Sequence, residues 1–351
     1  MNNHVDAGGP PIGPTQAILI FLGFVGLIFV LSLIKKIWYR IVLKKQYYII
    51  PRTQIKGITN IAMVISMSVA IIFTLTVLSA NSLGVLFRVY VGSRITIESI
   101  LIRIGGILFG PLLGLIIGAL TDLLTVILTS GIFHYGYFVA AMSYGFLAGL
   151  VKTFMIYSQN KNFNFAVICT SLIGFLIALT LVGFQFLTSN FQIESIVSFT
   201  FLSQNMMKWI LVGSCVFIVF LIWVLYPLSK YKVTSRKNQP KFINLAKYGK
   251  INVNMVGHNT SERNWYMIFI ASLTINLISQ ISVDIFLLPI FDITTSTFPY
   301  NQWLILRFLL ALPMLVFNTA IVFLVASTIL PIIKYDYVQD MIEDLRVVNY
   351  S

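Results

Sequence analysis

Two cysteines and three histidines in 351 residues leave this chain almost without soft metal ligands. Cys169 and Cys215 both fall inside apolar runs, so they read as buried packing residues rather than a disulfide framework. His4, His134 and His258 are scattered and offer no metal-ligand spacing. Acids are also few, 11 Asp and Glu against 24 Lys and Arg. No cluster of carboxylates suits phosphoryl or glycosyl chemistry, and neither His-Glu-x-x-His nor Gly-x-Ser-x-Gly occurs. The phosphate-cradling pattern Gly-x-x-x-x-Gly-Lys-Ser/Thr is missing; Gly249-Lys250 runs on into Ile251. Any uphill movement of a solute therefore draws on a partner or an ion gradient. Charged residues make up only 10% of the chain, where soluble domains carry roughly 25%.

Apolar sequence fills the space: 58% of residues are hydrophobic, which defines an all-α integral membrane protein crossing the bilayer several times. The net charge of +13 would suggest nucleic acid in a soluble protein, but its distribution argues for a membrane surface. One basic block runs from Lys35 to Lys56 and a second from Lys230 to Arg263, each between apolar spans. Nine helices are predicted, at about 15–34, 58–79, 96–109, 112–130, 136–157, 165–187, 204–226, 264–290 and 303–333. The first is too long for a signal-peptide core and is expected to remain as an anchor. With both basic blocks inside, the N-terminus lies outside and the C-terminus inside. The ninth span is long enough to require tilt or a break at Pro313. The second basic block reads as a polar, partly disordered loop.

The most informative stretch is Arg103 to Asp122. Gly106, Gly110, Gly114 and Gly118 stand four apart, Pro111 interrupts them, and Asp122 follows one turn later. Gly110-Pro111 predicts a tight inner turn. Glycines at this spacing let helix backbones approach closely in lipid, and Gly145 and Gly149 repeat the pattern. A buried carboxylate in lipid needs a partner, and by height above the inner turn Arg103 suits Asp122. Near the outer mouth stand Arg88, Arg94 and Arg307, with Tyr135, Tyr137 and Tyr144 as aromatic walls and Asn276 as a polar edge. Headgroup contact or internal packing remains open for each of these residues. Ala62, Ser66 and Ala70 form a small-residue stripe, either a contact face for another protein or internal packing.

Three segments carry a resemblance: Gly106-Ile-Leu-Phe-Gly-Pro-Leu-Leu-Gly114, Gly118-Ala-Leu-Thr-Asp122, and the helix from Gly136 to Gly149. In order and spacing they resemble the membrane-embedded substrate-binding subunits (S components) of energy-coupling factor (ECF) vitamin transporters, the folate type most closely. The resemblance implies a six-helix core plus about three additional helices. Residues 1–57 would be an extra helix and basic linker, and 58–157 core helices one to four. Residues 158–263 would be an inserted helix pair and basic loop, and 264–351 core helices five and six with a cytoplasmic tail. It also implies a high-affinity vitamin receptor in the cell membrane, itself not an enzyme and without a cofactor, docked through Ala62, Ser66 and Ala70. Its partners would be a transmembrane scaffold subunit and two ATPase subunits. A folate-like ligand would meet Arg88, Arg94, Arg103, Asp122, Tyr135, Tyr137, Tyr144, Asn276 and Arg307. Arg103 departs from the family, which usually has a small apolar residue there. The alternatives are an ion-coupled transporter acting alone, with Arg103 and Asp122 as a relay, and a membrane lipid-modifying enzyme.

Overall fold

A computed structural model describes residues 55–79, 91–128, 133–158, 162–190, 204–234, 242–245, 249–252, 265–295 and 300–329, with Gly26 and Leu33 singly. The expected first helix at 15–34, Arg88, the side chain of Arg94 and the acidic tail lie outside the described residues. The elements are α1 Ile55–Ser79, α2 Val91–Phe109, α3 Pro111–Leu128, α4 Tyr135–Tyr157, α5 Asn162–Asn190 and α6 Gln204–Thr234. After a short ladder, β1 Phe242–Leu245 and β2 Gly249–Asn252, come α7 Trp265–Ser279, a π-helical segment Gln280–Leu287, α8 Leu288–Thr295 and α9 Tyr300–Ile329. Among the described residues, seven rods are long and apolar enough to cross a membrane, α7 through α8 counting as one. The eighth, α2, is 19 residues long and carries Arg94, Glu98 and Arg103, which lower its hydropathy. The chain is thus a multi-pass helical membrane protein.

Several boundaries differ from those predicted. α2 begins at Val91 rather than 96, so Arg94 belongs to a helix and not to an outer loop. α9 passes through Pro313 without a break. Membrane helices tolerate an internal proline in this way when neighbouring groups can satisfy the freed carbonyl. The region expected as an outer loop after residue 290 remains helical to Thr295. Within the second basic block, β1 and β2 pair antiparallel, Phe242 opposite Asn252 and Leu245 opposite Gly249.

The centre is built on glycine. Among the described helices, α2, α3 and α4 are the most closely packed, and their contact lacks side chains on both sides. A Cβ placed at Gly106 would strike the Gly145 carbonyl and approach the Ala148 Cβ to 2.8 Å. A Cβ at Gly118 would strike the Ala141 carbonyl, and one at Gly145 the Gly114 carbonyl. Gly149 lies against Pro111 in the same way. Between α2 and α3 the chain reverses at Gly110, whose φ of 97° is a conformation that side-chain-bearing residues rarely adopt. The amide of Gly110 donates to the Gly106 carbonyl and that of Gly114 to the Gly110 carbonyl, both at 2.8 Å. Lys152 of α4 donates to the Leu108 carbonyl, capping the last turn of α2.

Outside this centre, α7, α8 and α9 close one side of α2 and α4. α5 and α6 pack chiefly on each other and on α7. Phe165, Cys169 and Ile173 of α5, and Cys215 and Ile222 of α6, are fully enclosed on that inner face. On α1, Ile65, Val69 and Ile72 turn inward, whereas Ala62, Ser66 and Ala70 lie on the exposed side beside Met63 and Met67.

The glycine contact gives a direct test. Gly145→Ala is expected to lower stability by about 1–3 kcal/mol or to prevent folding, because the opposing group is backbone and has no room to move. Gly174→Ala and Gly213→Ala face open space and are expected to be neutral or to stabilise by up to ~1 kcal/mol. Thermal unfolding of the detergent-purified protein distinguishes these outcomes.

Candidate functional site

In lipid a buried charge is tolerated when an opposite charge and hydrogen bonds surround it. Two such arrangements lie between α2, α4, α7 to α8, and α9. In the first, the Arg307 side chain of α9 meets Asp292 of α8 edge on. Its Nε donates to Oδ2 at 2.6 Å and its Nη2 to Oδ1 at 3.0 Å. Tyr137 of α4 also donates to Asp292 Oδ1, at 2.7 Å. In the second, the guanidinium of Arg103 from α2 is wholly enclosed and lies 4.6 Å above the Tyr144 ring. Its Nη1 donates to Asn276 Oδ1 at 2.8 Å, and Nη2 stands 3.6 Å from Asp284 Oδ2. The Tyr144 hydroxyl donates to the other oxygen of Asp284. Asn276 Nδ2 reaches Thr319 Oγ1 of α9 at 3.3 Å, tying three helices together.

The two arrangements are rungs of one ladder, each an arginine, an aspartate and a tyrosine. Tyr137 and Tyr144 are seven residues apart, close to two α-helical turns, so they share one face of α4. Asp284 and Asp292 are eight apart, which a plain α-helix would set about 80° apart around its axis, where the tyrosines are only about 20° apart. The π-helical segment resolves the mismatch. Its hydrogen bonds skip one residue more, as where the Leu288 amide meets the Val283 carbonyl. One extra residue fits into the rod, and both carboxylates face α4.

At the Asp292 end of the ladder, aromatic rings gather before α4. His134 stacks on Tyr135 with centroids 4.7 Å apart, and Phe291 stands edge-on to Tyr135 at 5.6 Å. Phe291 packs directly on Gly136, where a Cβ would overlap its ring. His134 also caps α4: its carbonyl accepts from the Tyr137 and Phe138 amides, and its Nδ1 accepts from the Gly136 amide at 3.2 Å. The pKa of His134 is lowered from 6.5 because partial burial disfavours its charged form, with Asp292 opposing.

Of the residues chosen from sequence, the structure brings Arg103, Tyr137, Tyr144, Asn276 and Arg307 into this ladder and places Tyr135 against Phe291 at its Asp292 end. Asp122 does not join it. The expected Arg103–Asp122 pair is replaced by Arg103–Asp284. Height along two neighbouring helices does not fix facing. Asp122 follows Gly118 by one turn, on the side of α3 that meets α4, while Arg103 extends to α7. Sequence reasoning missed Asp284, Asp292, His134 and Phe291 as site residues. The signal was available for the acids: they are the only two charges in the apolar run 265–295. Among the described residues, no group of His, Cys, Asp and Glu is arranged to hold a metal ion.

Against known proteins, residues 63–222 match the profile of a family described as ECF transporter, substrate-specific component. That match supports an S component. It runs through α5 and most of α6, the pair that the sequence reading set apart, and ends before α7. Over 285 residues the chain is 30% identical to the "Uncharacterized protein MG098 homolog" of Mycoplasma pneumoniae. The alignment takes in 74% of this chain but spans only 58% of that relative's length. No solved structure matches the chain.

Two measurements test the ladder. Asp292→Asn is expected to cost about 3–5 kcal/mol by leaving the buried Arg307 charge unbalanced, and Asp292→Leu with Arg307→Met to recover most of that loss. Thermal unfolding of both variants checks it. For His134 the lowered pKa fixes the sign. Its contribution to stability is complete above pH 6.5, where the unfolded chain is also neutral. It falls as the pH drops through 6.5 toward the folded value, because the unfolded state then binds the proton first. His134→Gln should flatten that part of the profile of melting temperature against pH.

Proposed function

We propose that this protein is the substrate-binding component of an ECF-type importer in the cell membrane, capturing a folate-like vitamin from outside. Separate ATPase subunits on a transmembrane scaffold drive its release inward. The observation that carries the reading is the match of residues 63–222 to the substrate-specific component family. Three features support it. The chain has no phosphate-binding loop, so energy comes from elsewhere. A polar ladder runs inward from a ring of His134, Tyr135 and Phe291, a combination suited to a planar, partly polar ligand. The stripe Ala62, Ser66 and Ala70 lies exposed on α1 and is low enough to admit a partner helix. In this reading Arg88 and Arg94 belong to the outer mouth, and the glycine contact of α2, α3 and α4 keeps the docking side rigid.

Titration of the purified chain with folate, riboflavin and thiamine should show sub-micromolar binding to one of them. Uptake in vesicles should require the scaffold and both ATPases. Uptake by the chain alone would favour an ion-coupled transporter instead. Ser66→Trp should leave ligand affinity unchanged while uptake falls roughly tenfold or more, the effect of about 1.4 kcal/mol lost at an interface. Equal losses of both would refute the docking role.

A further inference from the structure

The two rungs of the ladder differ in one respect that bears on ligand chemistry. The outer rung is closed: Asp292 is 1% exposed, and both of its oxygens are engaged by the fork of Arg307. The inner rung is incomplete. Asp284 is 15% exposed, the most open charged side chain of the ladder, while Arg103 behind it is 0% exposed. Among the described residues Arg103 Nε donates to no group, and Nη2 is too far from Asp284 for a hydrogen bond. Nε and Nη2 form one edge of the guanidinium, and two parallel donors on that edge match a pair of acceptors or one bridging oxygen. An accessible carboxylate acceptor thus lies beside a donor edge with unused capacity, over the face of Tyr144.

Taken together the pair is electrically neutral. A ligand carboxylate drawn to Arg103 would displace Asp284 and leave that acid unbalanced. A ligand ammonium drawn to Asp284 would do the same to Arg103. Either event carries the penalty of a buried unpaired charge. A neutral group offering an N–H donor next to a carbonyl or imine acceptor satisfies both partners and separates neither.

We propose that Asp284 and the Nε–Nη2 edge of Arg103 together form a recognition subsite for a neutral donor–acceptor edge of lactam type on a planar heterocycle, with Tyr144 as part of its wall. This rests on the reading of the chain as a vitamin-capturing subunit and specifies which end of the ligand enters: the heterocycle goes inward, and any carboxylates stay at the mouth.

The test uses the full chain in detergent with four probes: pterin and lumazine, which carry neutral lactam edges, nicotinate, which offers a carboxylate, and thiamine, a cation. The parent should prefer pterin or lumazine. Arg103→Met with Asp284→Met keeps the core neutral and should melt near the parent temperature, since buried ion pairs exchange well for apolar residues. It should bind the lactam probe roughly a hundredfold more weakly, the loss of hydrogen bonds to two charged groups. Asp284→Asn, which uncovers the Arg103 charge, should shift preference toward nicotinate. The proposal is overturned if the parent prefers nicotinate or thiamine, or if the folded double variant binds the lactam probe like the parent. Either result leaves vitamin capture standing. Binding of no probe, together with absence of partner-driven uptake, would remove both.

Discussion

Two arginines must be kept neutral inside an apolar bundle, and this requirement organises the protein. Arg103 and Arg307 sit on α2 and α9, and both find their acids on the rod formed by α7, the π-helical segment and α8. That rod therefore cannot rotate or slide independently of its neighbours. Tyrosines at a seven-residue interval on α4 lock it from a third side. Arg103 and Arg307 are both buried, so breaking one rung leaves a charge that the other rung, already paired, does not balance. Packing alone would leave such helices free to slip, because lipid tails compete equally well for apolar surface.

The glycine contact complements the ladder. It brings α2, α3 and α4 to backbone distance, which holds Arg103 and the two tyrosines at a fixed separation. The turn at Gly110 and the lysine cap on Leu108 fix one end of the same unit. The side of the bundle that carries the polar groups is thus assembled from a tight three-helix block and a more irregular rod facing it. α5 and α6 pack on α7 and, among the described residues, supply no residue to either rung.

Local pattern was legible in the sequence wherever lipid leaves few choices. Glycines four apart announced close backbone contact, and Gly110-Pro111 announced a reversal. Arg103 stood out as a charge at apolar depth, and Arg307, Tyr137, Tyr144 and Asn276 as candidates near the mouth. The pairing among them did not. Arg103 and Asp284 are separated by most of the chain, and nothing local to either names the other. Asp292 read as a loop residue because proline and threonine surround it, although the helix continues through it. The π-helical segment has no sequence mark of its own; it becomes necessary only once the eight-residue interval between acids is set against the seven-residue interval between tyrosines. Apolar periodicity is weak on α7, whose residues from Tyr266 to Leu277 are enclosed almost without exception.

The widened turn also bears on how this chain tolerates change in its length. In an ordinary membrane helix, losing one residue swings everything beyond it by about a quarter turn or more, and its partners are lost. Here the rod already holds one residue more than its neighbour. A deletion between Asp284 and Asp292 would leave the seven-residue interval that α4 presents, with plain α-helix throughout. The irregularity is a reserve of slack: the segment that looks most strained is the one able to shorten without unpairing its charges.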